Sequence, residues 1–115
     1  ADLGMPKPGA KLVALFRDGQ LPYSMDHVRD AEAQATIPTL TEMTRAALAA
    51  LREAPNGFLL QVEGARIDHA AHANDAAALI HDQLAFDAAV AAALEFARQD
   101  GETLVVLCTD HGNAN

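Results

Sequence analysis

The chain has a single cysteine, Cys108, so no intrachain disulfide can form and compartment is not legible from cysteine usage. Cys108 follows the apolar run Leu104 to Leu107, and the expectation is a small core residue. Basic residues are also scarce. Eight Lys and Arg stand against 16 Asp and Glu, a formal charge of −8, which is the wrong sign for gathering nucleic-acid phosphates and the right sign for binding cations. No apolar run reaches the roughly 20 residues a bilayer span needs, because the Ala-rich region is broken by Asp and Gln. A membrane-embedded protein is not expected. Residues Ala1 to Ala10 have no initiator Met, basic n-region or apolar h-region, which suggests a processed product or a cut piece.

What is present fits one α/β unit spanning residues 1–115, half of them hydrophobic. Three short apolar runs, Lys11 to Phe16, Phe58 to Val62 and Thr103 to Cys108, are each closed by Gly or polar residues and are expected to be strands buried on both faces. Thr39-Leu40-Thr41-Glu42 has capping-box spacing, so a helix should begin there. Its apolar stripe is Leu40, Met43, Ala47, Leu48 and Leu51, and Pro55-Asn56-Gly57 ends it. A long helical region precedes Asp100-Gly101, with Leu79, Phe86, Val90, Leu94 and Ala97 on one stripe. Gln20 to Ala35 reads mostly as surface loop with His27 solvated, and His81 and Asp82 are expected to be exposed on the long helix. Strand, helix, strand, helix, strand predicts a three-layer α/β fold with a predominantly parallel sheet.

In such a sheet ligands gather beyond the carboxyl ends of the strands. After the second run stand Glu63, Asp68, His69 and His72. Asp68 and His72 are four apart, so on a helix both can reach one cation, with His69 about a quarter-turn away. After the third run comes Thr109-Asp110-His111-Gly112, an adjacent acid and imidazole where the backbone leaves the sheet. Mixed Asp and His donors suit zinc at about 2.0 to 2.2 Å, and an all-oxygen site built on Glu63 suits magnesium. An isolated pair of either kind is commonly a solvated helix face or a cap; the pairing at two run ends carries the weight.

The stretch GFLLQVEGARIDHAAH, followed by LAFDAAV, ALEFA and GETLVVLCTDHG, resembles the alkaline phosphatase family in order and spacing. KLVALFRDGQLPY and IPTLTEMTRAALAAL extend the resemblance backwards. The resemblance implies an internal fragment of an alkaline-phosphatase-like fold. It implies that Asp68 and His72 bind the first of two zincs, that Asp110 and His111 bind the second, and that Glu63 binds magnesium. His69 matches a position near the metals and phosphate that is not itself a zinc ligand. In the family a serine alkoxide attacks a phosphate monoester to give a phosphoserine, which a zinc-activated water hydrolyses. The nucleophilic Ser, the phosphate-clamping Arg, a bridging Asp and a magnesium-binding Thr belong upstream, and a third His of the first zinc downstream. Ser24 is the one serine and lacks the nucleophile's context, so no nucleophile is assigned. The resemblance also implies a phosphate monoester substrate, a homodimer as an assembly open to the parent protein, and a periplasmic or secreted location. Three alternatives stand beside it: a phosphopentomutase or nucleotide pyrophosphatase of the wider superfamily, a non-catalytic α/β folding module, and an interaction domain with an open sheet edge.

Overall fold

Helix boundaries in this chain are set by local chemistry. The computed structural model describes residues 11–112. It contains α1 (Ser24–His27), α2 (Ala31–Thr36), α3 (Leu40–Leu51), α4 (Ala65–His72) and α5 (Ala76–Asp100). The capping box of α3 is formed from both sides: Thr39 Oγ1 accepts from the Glu42 N–H at 3.2 Å, and a Glu42 carboxylate oxygen accepts from the Thr39 N–H at 2.7 Å. These bonds favour the ionised acid and hold the Glu42 carboxyl below its ordinary range, the backbone bond from Thr39 contributing most. Asp75 caps α5 by accepting from the Ala78 N–H at 3.0 Å. Gly101 ends α5 in the left-handed region, φ 80°, and donates to the Ala97 carbonyl.

The helical region before Asp100 is two helices rather than one. Asn74, at φ 53°, breaks it between α4 and α5, a left-handed conformation that Asn tolerates better than most side chains. Helix α5 is the hub on which α1, α3 and α4 pack. It does so mainly through small residues. Ala78, Asp82, Ala89 and Ala92 are its buried positions, whereas Leu94 of the expected stripe is 37% exposed. Small side chains let the helix backbones approach closely; Ala70 of α4 and Ala78 of α5 are both fully buried. By length and composition alone α5 could cross a membrane, yet it carries buried Asp82 and has three helices against it.

The expected parallel sheet is not present: among the described residues there is no strand. The correction has a physical reason. An apolar run specifies a wish for burial, but a sheet also needs a neighbouring backbone to satisfy its N–H and C=O groups, and that pairing is non-local. The second run does alternate, with Phe58, Leu60 and Val62 half-buried and Leu59 and Gln61 exposed. This run and Thr103 to Leu107 line one groove of about 700 Å³ against Phe86, Ala89 and Val90 of α5. Several side chains along both runs are nonetheless open to water: Leu59 is 96% exposed, Leu104 84% and Val106 75%. The first run is open almost throughout, with Leu15 88% exposed, and Cys108 is exposed rather than core.

The remainder is a thin helical layer. Among the described residues, five of the seven buried hydrophobic residues are alanines, joined by Ile37 and Leu48. The radius of gyration is 15.3 Å, above the roughly 13 Å of a compact domain of about 100 residues. The segment expected to be a loop holds α1 and α2, because Asp30 caps α2 through the Glu32 and Ala33 N–H groups. His27 is half-buried rather than freely solvated and bonds the Ile37 carbonyl through Nε2 at 2.9 Å.

Candidate metal centre

Gly64 makes the turn from the second apolar run into α4. A Cβ there would meet Ile67 and the Phe86 ring at 3.0 Å, so any larger residue at this close approach to α5 would push on those two side chains. The turn leaves Glu63 just before the helix, Asp68 in its first turn and His72 in its last. Asp68 Oδ1 lies 3.5 Å from His72 Nε2, as the four-residue spacing requires.

The second ligand group is organised by its own loop. Thr109 Oγ1 donates to the His111 carbonyl at 2.9 Å, and the His111 N–H donates to Asp110 Oδ1 at 3.0 Å. His111 Nε2 then sits 3.4 Å from Asp110 Oδ2 and 3.8 Å from Asp68 Oδ1. Four of the five expected ligands, Asp68, His72, Asp110 and His111, thus form a chain of contacts linking two segments some forty residues apart in sequence. The group is open to water: Asp68 is 41% exposed, His111 54% and Asp110 87% at the side chain. Among the described residues no three such side chains converge tightly enough to hold an ion by themselves.

Glu63 lies apart from these four. It lines a cavity of about 330 Å³ with Arg66, His69, Ser24 and Asp82. His69 lines the same cavity, with Arg66 Nη1 3.1 Å from its Nδ1 and Gln20 Nε2 3.3 Å from its Nε2. Asp82, expected to be exposed, is 7% exposed and accepts from the Ser24 N–H at 3.2 to 3.3 Å and from Ser24 Oγ at 2.9 Å. The bond ties Ser24 and α1 to α5. Sequence reading passed over this pair and over Arg66; an acid inside an apolar helix, and an Arg three residues before His69, were the available signals.

Comparison with known proteins decides the class. The alkaline phosphatase family model matches residues 5–115. The chain belongs to the alkaline phosphatase family. It is 39% identical over 102 residues to alkaline phosphatase 3 of Bacillus subtilis, covering 89% of this chain and 21% of that protein. Repressible alkaline phosphatase of Saccharomyces cerevisiae is 43% identical over 106 residues, 86% of this chain and 18% of the yeast protein. Streptomycin-6-phosphate phosphatase of Streptomyces griseus is 48% identical over 133 residues, 97% of this chain and 30% of that relative. The chain therefore spans between about a fifth and a third of the length of these curated relatives. No solved structure matches it.

Proposed function

We propose that this chain supplies part of the metal site of a phosphomonoesterase, with Asp68 and His72 for one zinc, Asp110 and His111 for a second, and Glu63 for magnesium. The observation that carries the reading is the meeting of His111 and Asp68 at 3.8 Å, with His72 and Asp110 on either side. Carboxylate oxygens and imidazole nitrogens are the donor set zinc takes. The all-oxygen preference of magnesium matches Glu63, which lines a cavity that His72 and His111 do not. Bound zinc supplies Lewis-acid stabilisation of charge developing on phosphoryl oxygens. The chain's own part is to hold the donors: α4 fixes Asp68 and His72 one turn apart, and the Thr109 and Asp110 loop bonds aim His111 toward them.

The same reading gives the chain no nucleophile. Ser24 spends its hydroxyl on Asp82 and lies with Glu63 rather than with the His111 group. The substrate class is a phosphate monoester, and the location is the periplasm or the cell exterior, both carried by family resemblance. Alone, the chain should bind zinc weakly and turn over nothing, since most of the machinery described for the family lies in other segments.

Calorimetric titration of zinc into the metal-free chain, its Asp68→Ala and His111→Ala variants, and p-nitrophenyl phosphate turnover on the same samples test this. Zinc uptake weakened by about tenfold or more in each variant, without turnover, is expected. Turnover by the chain alone, or zinc uptake that ignores both substitutions, would refute it.

A further inference from the structure

Helix α4 has little support of its own. It has eight residues, its N-cap Gly64 offers no side-chain bond to the free N–H groups, and Ala70 is its one buried residue. A helix that short is marginal by itself, so its seating has to come from its neighbours. Arg66, in the first turn, supplies one such contact. Its Cζ lies 3.7 Å from the centroid of the Tyr23 ring, a cation–π stack, and its Nη1 donates to Gln20 Oε1. Asp68 follows Arg66 by two residues and His72 by six, about 200° and 240° around the helix axis. The stacked side of α4 and its ligand side are therefore nearly opposite, and a rotation of the helix moves both together.

The segment that carries Gln20 and Tyr23 needs an anchor in turn. Helix α1, which starts directly after Tyr23, has four residues, none of them buried, and its N-cap Tyr23 makes no side-chain cap bond. The anchor is Asp82 of α5. Only 7% exposed, its carboxylate accepts from the Ser24 N–H at 3.2 to 3.3 Å and from Ser24 Oγ at 2.9 Å. Ser24 is its one partner among the described residues. A carboxylate buried without a cation beside it depends on the donors it has, and hydrogen bonds to an ionised acceptor are the stronger kind. The contacts thus run in one direction: Asp82 to Ser24, Ser24 to its chain neighbour Tyr23, Tyr23 to Arg66, and Arg66 to the helix that carries Asp68 and His72.

We propose that Asp82 is a positioning residue for α4: by holding Ser24 it keeps Tyr23 stacked on Arg66, and that stack sets the rotation of α4 and so the direction of Asp68 and His72. Segment 20–24 acts as a strap between two helices. Its consequence for zinc rests on the phosphatase reading above; the mechanical coupling does not.

The test uses the full chain, first stripped of metal by chelation and then titrated with zinc. Tyr23 is the one tyrosine and there is no tryptophan, so intrinsic fluorescence reports on the stack. Asp82→Ala is expected to increase acrylamide quenching of Tyr23 and to speed hydrogen exchange of the α4 amides by about tenfold more than that of the α3 amides. Tyr23→Leu, at a half-buried position, tests the same coupling should Asp82→Ala fail to fold, and should speed α4 exchange by a similar factor. Tyr23→Phe keeps a ring over Arg66 and should restore the parent's protection. The double variant Asp82→Ala with Tyr23→Leu should add little to either single change, as two members of one path require. In calorimetry, Asp82→Ala and Tyr23→Leu should each weaken zinc uptake by up to about tenfold with Asp68 and His72 intact. If the parent chain takes up no zinc, the zinc reading fails while metal-free exchange still decides this one. Exchange that rises equally in α3 and α4, additive effects in the double variant, or a Tyr23→Phe loss as large as that of Tyr23→Leu overturns the proposal.

Discussion

The helices and the apolar runs of this chain are written in two different codes. Helix α3 carries its instructions within about a dozen residues: a capping box at Thr39 and Glu42, a stripe ending at Leu51, and a turn at Gly57 with φ 74°. The run Phe58 to Val62 carries only half of its instructions. Its alternation half-buries Phe58, Leu60 and Val62 and leaves Leu59 in water, because the second half, a backbone to pair with, is not encoded locally. Backbone bonds inside a helix close over four residues, whereas those of a sheet close over any distance. Where both codes meet, at Gly64, the site begins.

If the helical side holds the stability, its interior is where substitution should cost most. Leu48, 6% exposed on α3, faces the groove beside α5. Leu48→Ala is expected to cost about 2 to 4 kcal/mol, read as a lower urea midpoint at unchanged slope. A loss under about 1 kcal/mol would mean that the α3 and α5 packing is not the chain's core. Next in size is Asp82→Ala, which removes the acceptor of the Ser24 N–H and hydroxyl. A cost of about 1 to 3 kcal/mol is expected, with earlier hydrogen exchange at α1 than at α3.

The same contrast explains how much could be read from the sequence. The start of α3, the stop of α5 at Gly101 and the pairing of Asp68 with His72 were legible, since each depends on residues within a turn or two. The sheet was expected and is absent from the described residues, because alternation and apolarity describe a strand's faces but not its partner. Asp82 was misread for a related reason: a charge on a helix is normally exposed, and its burial depends on Ser24, 58 residues away. The meeting of His111 with Asp68 was not read from the sequence, where the family resemblance implied separate zincs for the two residues; no local pattern encodes it.

Smaller effects should sharpen the local side of the comparison. Thr39→Ala removes the hydroxyl that accepts from the Glu42 N–H and is expected to cost about 1 kcal/mol. The cap should also be pH-dependent in a defined direction. The Glu42 carboxyl is held below its ordinary value, so the folded state prefers it ionised. Its contribution is fully present above the unfolded value of about 4.3 and is lost as pH falls through the lower folded value. Glu42→Gln should therefore flatten the acid limb of the stability curve, and an acid limb identical in the two proteins would show the box to be energetically idle.

The smallest effect on stability should come from Leu59→Ser, and it is the sharpest probe of the other side. Leu59 is 96% exposed, so replacing it removes almost no buried surface, and the urea midpoint should move by less than about 0.5 kcal/mol in stability. Its second readout is association. Leu59, Leu104 and Val106 are large apolar side chains in contact with water on runs whose backbones are not paired in a sheet, the combination that invites intermolecular contact. Sedimentation over a range of concentrations should show less self-association in Leu59→Ser than in the parent chain. If the substitution instead lowers the urea midpoint as much as Leu48→Ala does, Leu59 is buried in solution and the division into a local helical code and an unpaired apolar face fails at that residue.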